Sequence, residues 1–199
     1  MEIKELKTNI TSIDKIFHVS DIHIRTLKRH KEYQEVFDTL FLHIAQHATN
    51  QSICVITGDI VHSKLDMSPE LINMLTKFFN GFHIPTIVIL GNHDMNLNNL
   101  YRLDAISPIL DVINNSNIHF IKENGLFKFA NIVFNHMAVD VAPKNYIQAK
   151  DFDAHYKIAL HHGAVHNAKT DIGFQISNDH VTTDLFEGHD LTLLGDIHK

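Results

Sequence analysis

The chain has 199 residues, 44% of them apolar and 20% charged, with net charge −6, one cysteine and 17 histidines. That length suits one domain with a full hydrophobic core, so a single domain over residues 1–199 is expected. A lone cysteine excludes a disulfide framework or a thiolate-cluster zinc site and fits a reducing compartment, while the acidic balance argues against a simple polyanion-binding module.

Neither a signal peptide nor a membrane span is expected. Charged Glu2, Lys4 and Glu5 follow Met1, and no apolar run approaches the roughly 18 residues needed to cross a bilayer. The first predicted strand is Ile16 to Ser20. A helix over Tyr33 to Ala48 follows, placing Val36, Phe37, Leu40, Phe41 and Ile44 on one face. Ile53 to Thr57 is the second strand, with Cys54 in the core. Ser68 caps a second helix with Pro69 at its first position; Leu71, Leu75, Phe78 and Phe79 form its face and Gly81 its stop. Pro85 to Leu90 makes a third strand, giving a βαβαβ start with parallel strands and right-handed crossovers.

The second half changes character. Ile118 to Ile121, Leu126 to Ala130 and Ile132 to His136 are short strands with turn signals at Asn124-Gly125 and Asn131, which predict antiparallel hairpins. Two buried strands, Lys157 to Leu160 and Leu191 to Leu194, complete an α/β fold with two sheets.

Potential ligands collect at the ends of these strands: Asp21 and His23; Gly58-Asp59; Gly91-Asn92-His93-Asp94; His161-His162-Gly163; and Gly195-Asp196-Ile197-His198. In an open α/β sheet, ligands bind outside the carboxyl ends of the strands, so five such ends describe one site. Asp21 and His23, two apart, would point to the same side of an extended backbone, as would Asp196 and His198. Mixed carboxylate, imidazole and amide donors suit manganese, iron or zinc. They are too many for one tetrahedral ion, which points to two divalent ions sharing a bridging carboxylate, the arrangement of two-metal phosphoester hydrolysis. Arg25 and Lys199 could contact phosphate. His43 and His47 share a helix face, read as solvated.

DIH, GD, GNHD, a His-Gly after a strand and G-x-x-H, in this order from Asp21 to His198, resemble the calcineurin-like metallophosphoesterases. SDIHIR, GDIVHSK, the Arg102-Leu103-Asp104 run after GNHD, and LLGDIHK are most similar to the SbcD type of DNA double-strand-break repair nuclease, including phage and large-virus relatives. The resemblance implies a two-sheet sandwich flanked by helices, four layers αββα, with C-terminal strands expected beyond Lys199. It implies that Asp21, His23 and His198 bind a first metal ion, that Asp59 bridges, and that Asn92, His162 and Asp196 complete a second. His93 would act on the phosphoryl oxygen or leaving group, with Asp94 orienting its ring. Either His161 or His162 can fill the ligand slot, since adjacent strand residues face opposite ways. Asp196 departs from the histidine the family usually has there. His62 would position the nucleic-acid backbone, or else be an exposed loop histidine, and Arg25 is the other substrate-binding candidate.

The implied function is hydrolysis of DNA phosphodiester bonds by exonuclease or endonuclease action, with two divalent ions, Mn2+ foremost and Fe2+ or Zn2+ as alternatives. The implied partners are DNA and an SMC-like ATPase of the SbcC type, with a homodimer as the assembly. The implied location is cytoplasmic, nucleoid or nuclear, in a virus-encoded protein. Two further readings stay open: a phosphatase or cyclic-nucleotide phosphodiesterase, and a weakened scaffold subunit of a repair complex.

Overall fold

The structure is a computed structural model that describes residues 2–169, 173, 175–177 and 180–197. The roles expected of His198 and Lys199 therefore concern positions outside the described residues. In chain order the elements are β1 (Ile3–Glu5), β2 (Lys15–Val19), α1 (His30–His47), β3 (Ser52–Thr57), α2 (Pro69–Asn80), β4 (Thr86–Ile89) and α3 (Ser107–Val112). Then come β5 (Ile118–Phe120), β6 (Gly125–Phe129), β7 (Ile132–Met137), β8 (Tyr156–His162) and β9 (Leu191–Gly195).

Two sheets result, one ordered β2-β3-β4-β5 and the other β1-β6-β7-β8-β9. The alternation of strand side chains decides what each face covers. In β3, Cys54 and Ile56 join α1 and α2 in a cluster with Phe37, Ile44, Leu71, Phe78 and Phe79. Ile53 and Val55 point the other way, against Phe129, Phe134, Ile158 and Leu160 of the second sheet. Each such side chain, taken from water, contributes about 1.5–3 kcal/mol. The outer face of the second sheet is covered by short 3-10 helices at Pro143–Asn145 and Ala149–Asp151, with Phe152 packed on Leu126 and Val133. The architecture is thus α/β, two sheets flanked by helices.

Local chemistry explains most boundaries. The Ser68 hydroxyl accepts the Leu71 amide at 3.3 Å, and Pro69 starts α2. Gly81 ends α2 in right-handed conformation, and a side chain there would run into the ring of Phe41. Its role is close approach, not the left-handed turn a helix-stop glycine usually provides. Helix α1 begins at His30, ahead of the expected Tyr33, from a left-handed Arg29 with no side-chain cap. Val36, expected on its buried face, is 61% exposed. Cys54 is buried as expected, and burial pushes its thiol up to about 12.

The second half requires a correction. Among the strands of the described residues only β6 and β7 pair antiparallel, through the tight turn at Ala130-Asn131. β5 pairs parallel to β4 in the first sheet, and Asn124-Gly125 carries the chain between sheets instead of closing a hairpin. β7–β8, β8–β9 and β1–β6 are also parallel. The long connections 138–155 and 163–190 let each strand return in the same direction, which a two-residue turn cannot do.

Candidate metal centre

Asp21, Asp59 and Asn92 follow the C-terminal ends of β2, β3 and β4, while His162 and Asp196 lie at the ends of β8 and β9. The parallel ladder continues past β2, with the Asp21 amide on the Gly58 carbonyl at 3.2 Å and the His23 amide on the Asp59 carbonyl at 2.9 Å. The backbone there is not extended: φ is +55° at Asp21, +49° at His23, +52° at Asp59 and +93° at Asp196. The expectation that Asp21 and His23 share a side by strand alternation is replaced by left-handed turns that aim each side chain separately. Such backbone costs of order 1–3 kcal/mol per residue and clusters at functional sites.

Asp59, only 2% exposed, is the centre of the arrangement. Its Oδ1 accepts the His93 amide at 2.8 Å, and its Oδ2 lies 3.2 Å from His162 Nε2 and 3.6 Å from His23 Nε2. Burial would raise its pKa, but the bonds to His162 and the His93 amide outweigh that and hold it below the usual carboxylate range. Asp21 Oδ1 accepts the Asp196 amide at 2.9 Å, tying the ends of β2 and β9 together.

His162 tests whether this set fits a metal. Its Nδ1–H donates to the Thr57 carbonyl at 2.7 Å, which directs Nε2 to Asp59, to Asn92 Oδ1 at 3.0 Å and to Asp196 Oδ1 at 3.9 Å. An imidazole nitrogen facing three oxygens needs a cation on it, either a proton or a metal ion. Burial opposes the protonated ring, yet Asp59, the Thr57 carbonyl and Asp21 push its pKa up to about 9. Ligand atoms of Asp21, Asp59 and His162 all lie within 4.8 Å of one another, and so do those of His23, His62 and His93. Side chains at Gly58 or Gly91 would occupy the same space, with His162 ring atoms 2.8 Å away in both cases. The donors present fit divalent ions.

His161 faces the other way. Its Nδ1 bonds the Met137 carbonyl at 2.8 Å, its ring packs near Tyr146 and Phe186, and its Nε2 is buried without a hydrogen-bond partner. Strand alternation therefore gives the cluster His162 and withholds His161.

Asp94 does not orient His93. It is fully buried, with Oδ1 accepting the Ile60 and Val61 amides at 2.9 and 3.0 Å and Oδ2 the Gly91 amide at 2.9 Å. Burial pushes its carboxyl up to about 7 against the pull of those amides. It locks the two metal-site loops together. The His93 ring is instead held by its Nδ1–H, donated to the His62 carbonyl at 2.7 Å. His62 is exposed, and its ring centre lies 5.8 Å from those of His23 and His93. With Arg25, Arg29 and Tyr33 these histidines line an open cleft of ≈ 370 Å³ above Asp59. His43 and His47 stack at 4.3 Å on the exposed face of α1, away from both ligand groups.

Three supporting residues were not foreseen. The Tyr33 hydroxyl donates to the His23 carbonyl at 2.6 Å, Lys64 Nζ donates to the Asn92 carbonyl at 2.9 Å, and Thr57 orients His162. Lys64 closes the GDIVHSK motif, which is a sequence signal; Thr57 acts through its backbone carbonyl, which leaves none.

A two-sheet α/β fold whose strand ends deliver aspartates, histidines and an asparagine to one rim defines a metal-binding phosphoesterase scaffold. Residues 14–199 match the family model described as calcineurin-like phosphoesterase, and the chain belongs to that family. It is 43% identical over 201 residues to an uncharacterised protein of Acanthamoeba polyphaga mimivirus, an alignment covering 95% of this chain but 15% of that one. Among solved structures, the nuclease MPE of Pseudomonas putida aligns with 81% of this chain and 67% of its own, at 15% identity and a TM-score of 0.42, too loose a likeness to carry residue roles across. No helix among the described residues is long and apolar enough to cross a membrane.

Proposed function

We propose that the chain is a two-metal phosphodiesterase acting on DNA, of the SbcD type. The observation that carries this reading is the convergence of Asp21, Asp59 and His162 ligand atoms within 4.8 Å, beside a cleft lined by His62, His93, Arg25 and Arg29. Asp21, His23, Asp59, Asn92, His162 and Asp196 would hold two divalent ions, with Asp59 shared; the mixed oxygen and nitrogen donors suit Mn2+, then Fe2+ or Zn2+. Bound there, such ions supply an activated water and neutralise charge on the phosphoryl oxygens.

The chain's own residues do the rest. With its Nδ1–H committed to the His62 carbonyl, His93 presents Nε2 to substrate. A proton on that nitrogen can pass to the leaving-group oxygen, whereas the neutral ring can only accept there. Arg25, Arg29 and His62 would hold non-bridging phosphate oxygens along the cleft. Asp94 and Lys64 keep the loops carrying Asp59 and Asn92 in register.

The net charge of −6 opposes unaided DNA binding, so on this reading an SMC-like ATPase supplies DNA engagement, in a homodimeric assembly. The same charge favours, as a second reading, a phosphatase or cyclic-nucleotide phosphodiesterase on a small substrate. Incubation with linear duplex DNA and Mn2+ separates the two. The proposal expects cleavage that His93→Ala abolishes while manganese binding, read by calorimetry, persists. Cleavage of only a small model ester would refute the nuclease reading.

A further inference from the structure

A second cavity, of ≈ 450 Å³, opens between α1 and the edge strand β2, with Val19, Ile22, Val36, Phe37, Leu40 and Phe78 in its lining. It shares Tyr33 and Arg29 with the histidine-lined cleft, and Asp21 is also in its lining. The Tyr33 hydroxyl is tied to the His23 carbonyl, so its ring is a fixed partition between an apolar chamber and a polar one where Arg25 and Arg29 stand with Asp59, Asp196 and the histidines. Its plane is tilted 36° from that of Phe37, with centres 6.0 Å apart. Arg29, which lines both chambers, is paired to Glu32 at 2.5 Å, so a cation and a hydrogen-bond acceptor stand together there.

We infer that this apolar chamber is the subsite for the nucleobase attached to the phosphate held in the adjoining cleft. A group that fills both chambers has an anionic end and a flat apolar end joined by a short link, which is the shape of a nucleotide. Stacking on aromatic rings binds any base, because every base has a π face. Glu32 can accept from an imide or amino N–H at the base edge. The assignment rests on the phosphodiesterase reading of the cleft.

The test compares thymidine 5′-monophosphate with inorganic phosphate by calorimetric titration in Mn2+, for the intact chain, Val36→Trp and Val112→Trp. Val36 is 61% exposed, so a larger side chain can enter the chamber without disturbing the core. Val112 is 85% exposed and does not line the chamber, so its variant serves as the control. The nucleotide should bind at least about tenfold more tightly than phosphate, an advantage of the order expected of one stacked base. Val36→Trp should erase that advantage and Val112→Trp should keep it. Equal affinities in the intact chain, or an advantage that survives Val36→Trp, would overturn the subsite. DNA hydrolysis measured in parallel separates the two proposals. Cleavage without nucleotide preference sinks the subsite alone, and preference without cleavage keeps it while the nuclease reading falls.

Discussion

Gly91→Ala probes the centre most directly. Gly91 does not occupy the left-handed region, so alanine carries no backbone penalty there and its effect is steric. The added methyl would sit well inside contact with Asp59 Oδ1 and the Asp59 amide, and 2.8 Å from His162 Cε1. Ordinary contact requires Asp59 to retreat by about 1 Å, in surroundings packed like a crystal. Overpacking of this kind costs about 1–3 kcal/mol, or about 2–12 °C of melting temperature in a chain this long. The displaced carboxylate should also weaken Mn2+ binding by about 10- to 100-fold, the loss usual when a ligand's support is disturbed. Titration calorimetry gives the affinity and scanning calorimetry the stability. Gly81→Ala is the control, because its methyl meets the Phe41 ring in the helix-packed core. It should lower the melting temperature comparably and leave manganese binding within about threefold, a difference near 0.6 kcal/mol. Manganese bound by Gly91→Ala as tightly as by the intact chain would refute the steric reasoning.

Two further outcomes follow from buried groups. His136 is buried and its pKa lowered to about 4, chiefly by desolvation. The unfolded ring takes its proton near 6.5, so the folded state is penalised progressively as pH falls from 6.5 through about 4. At about 1.4 kcal/mol per pH unit the penalty reaches about 3 kcal/mol. Urea titrations across this range should show a markedly flatter slope for His136→Gln, and parallel slopes would sink the assignment. Asp94→Asn turns an N–H2 towards at least one of the three amides that the carboxylate accepts. A lost buried bond costs about 1–3 kcal/mol, so the melting point should drop by about 2–12 °C. An unchanged melting point would mean that those amides do not depend on the carboxylate.

The first half of the fold was legible because its signals are local. Ser68-Pro69 starts α2 and a continuous apolar run marks β3, whatever lies elsewhere in the chain. The partners of β5, β7, β8 and β9 were not legible, since strand direction depends on long connections and not on the strands themselves. Likewise Gly-Asp and Gly-Asn-His-Asp named the rim residues, but not what Asp94 does. A carboxylate that accepts three amides and one that orients an imidazole look the same in sequence. The left-handed turns at Asp21, His23 and Asp59 were hidden for a related reason: they go with ladder bonds between residues 21–24 and 58–60, segments far apart in the chain.

The centre draws Asp21, Asp59 and Asn92 from one sheet and His162 and Asp196 from the other. Ions held there would rivet the two halves of the sandwich, much as a disulfide joins distant segments, with bonds that a chelator can undo. Folding and loading then become one equilibrium, so metal supply tightens the sandwich and any force that parts the sheets releases the ions.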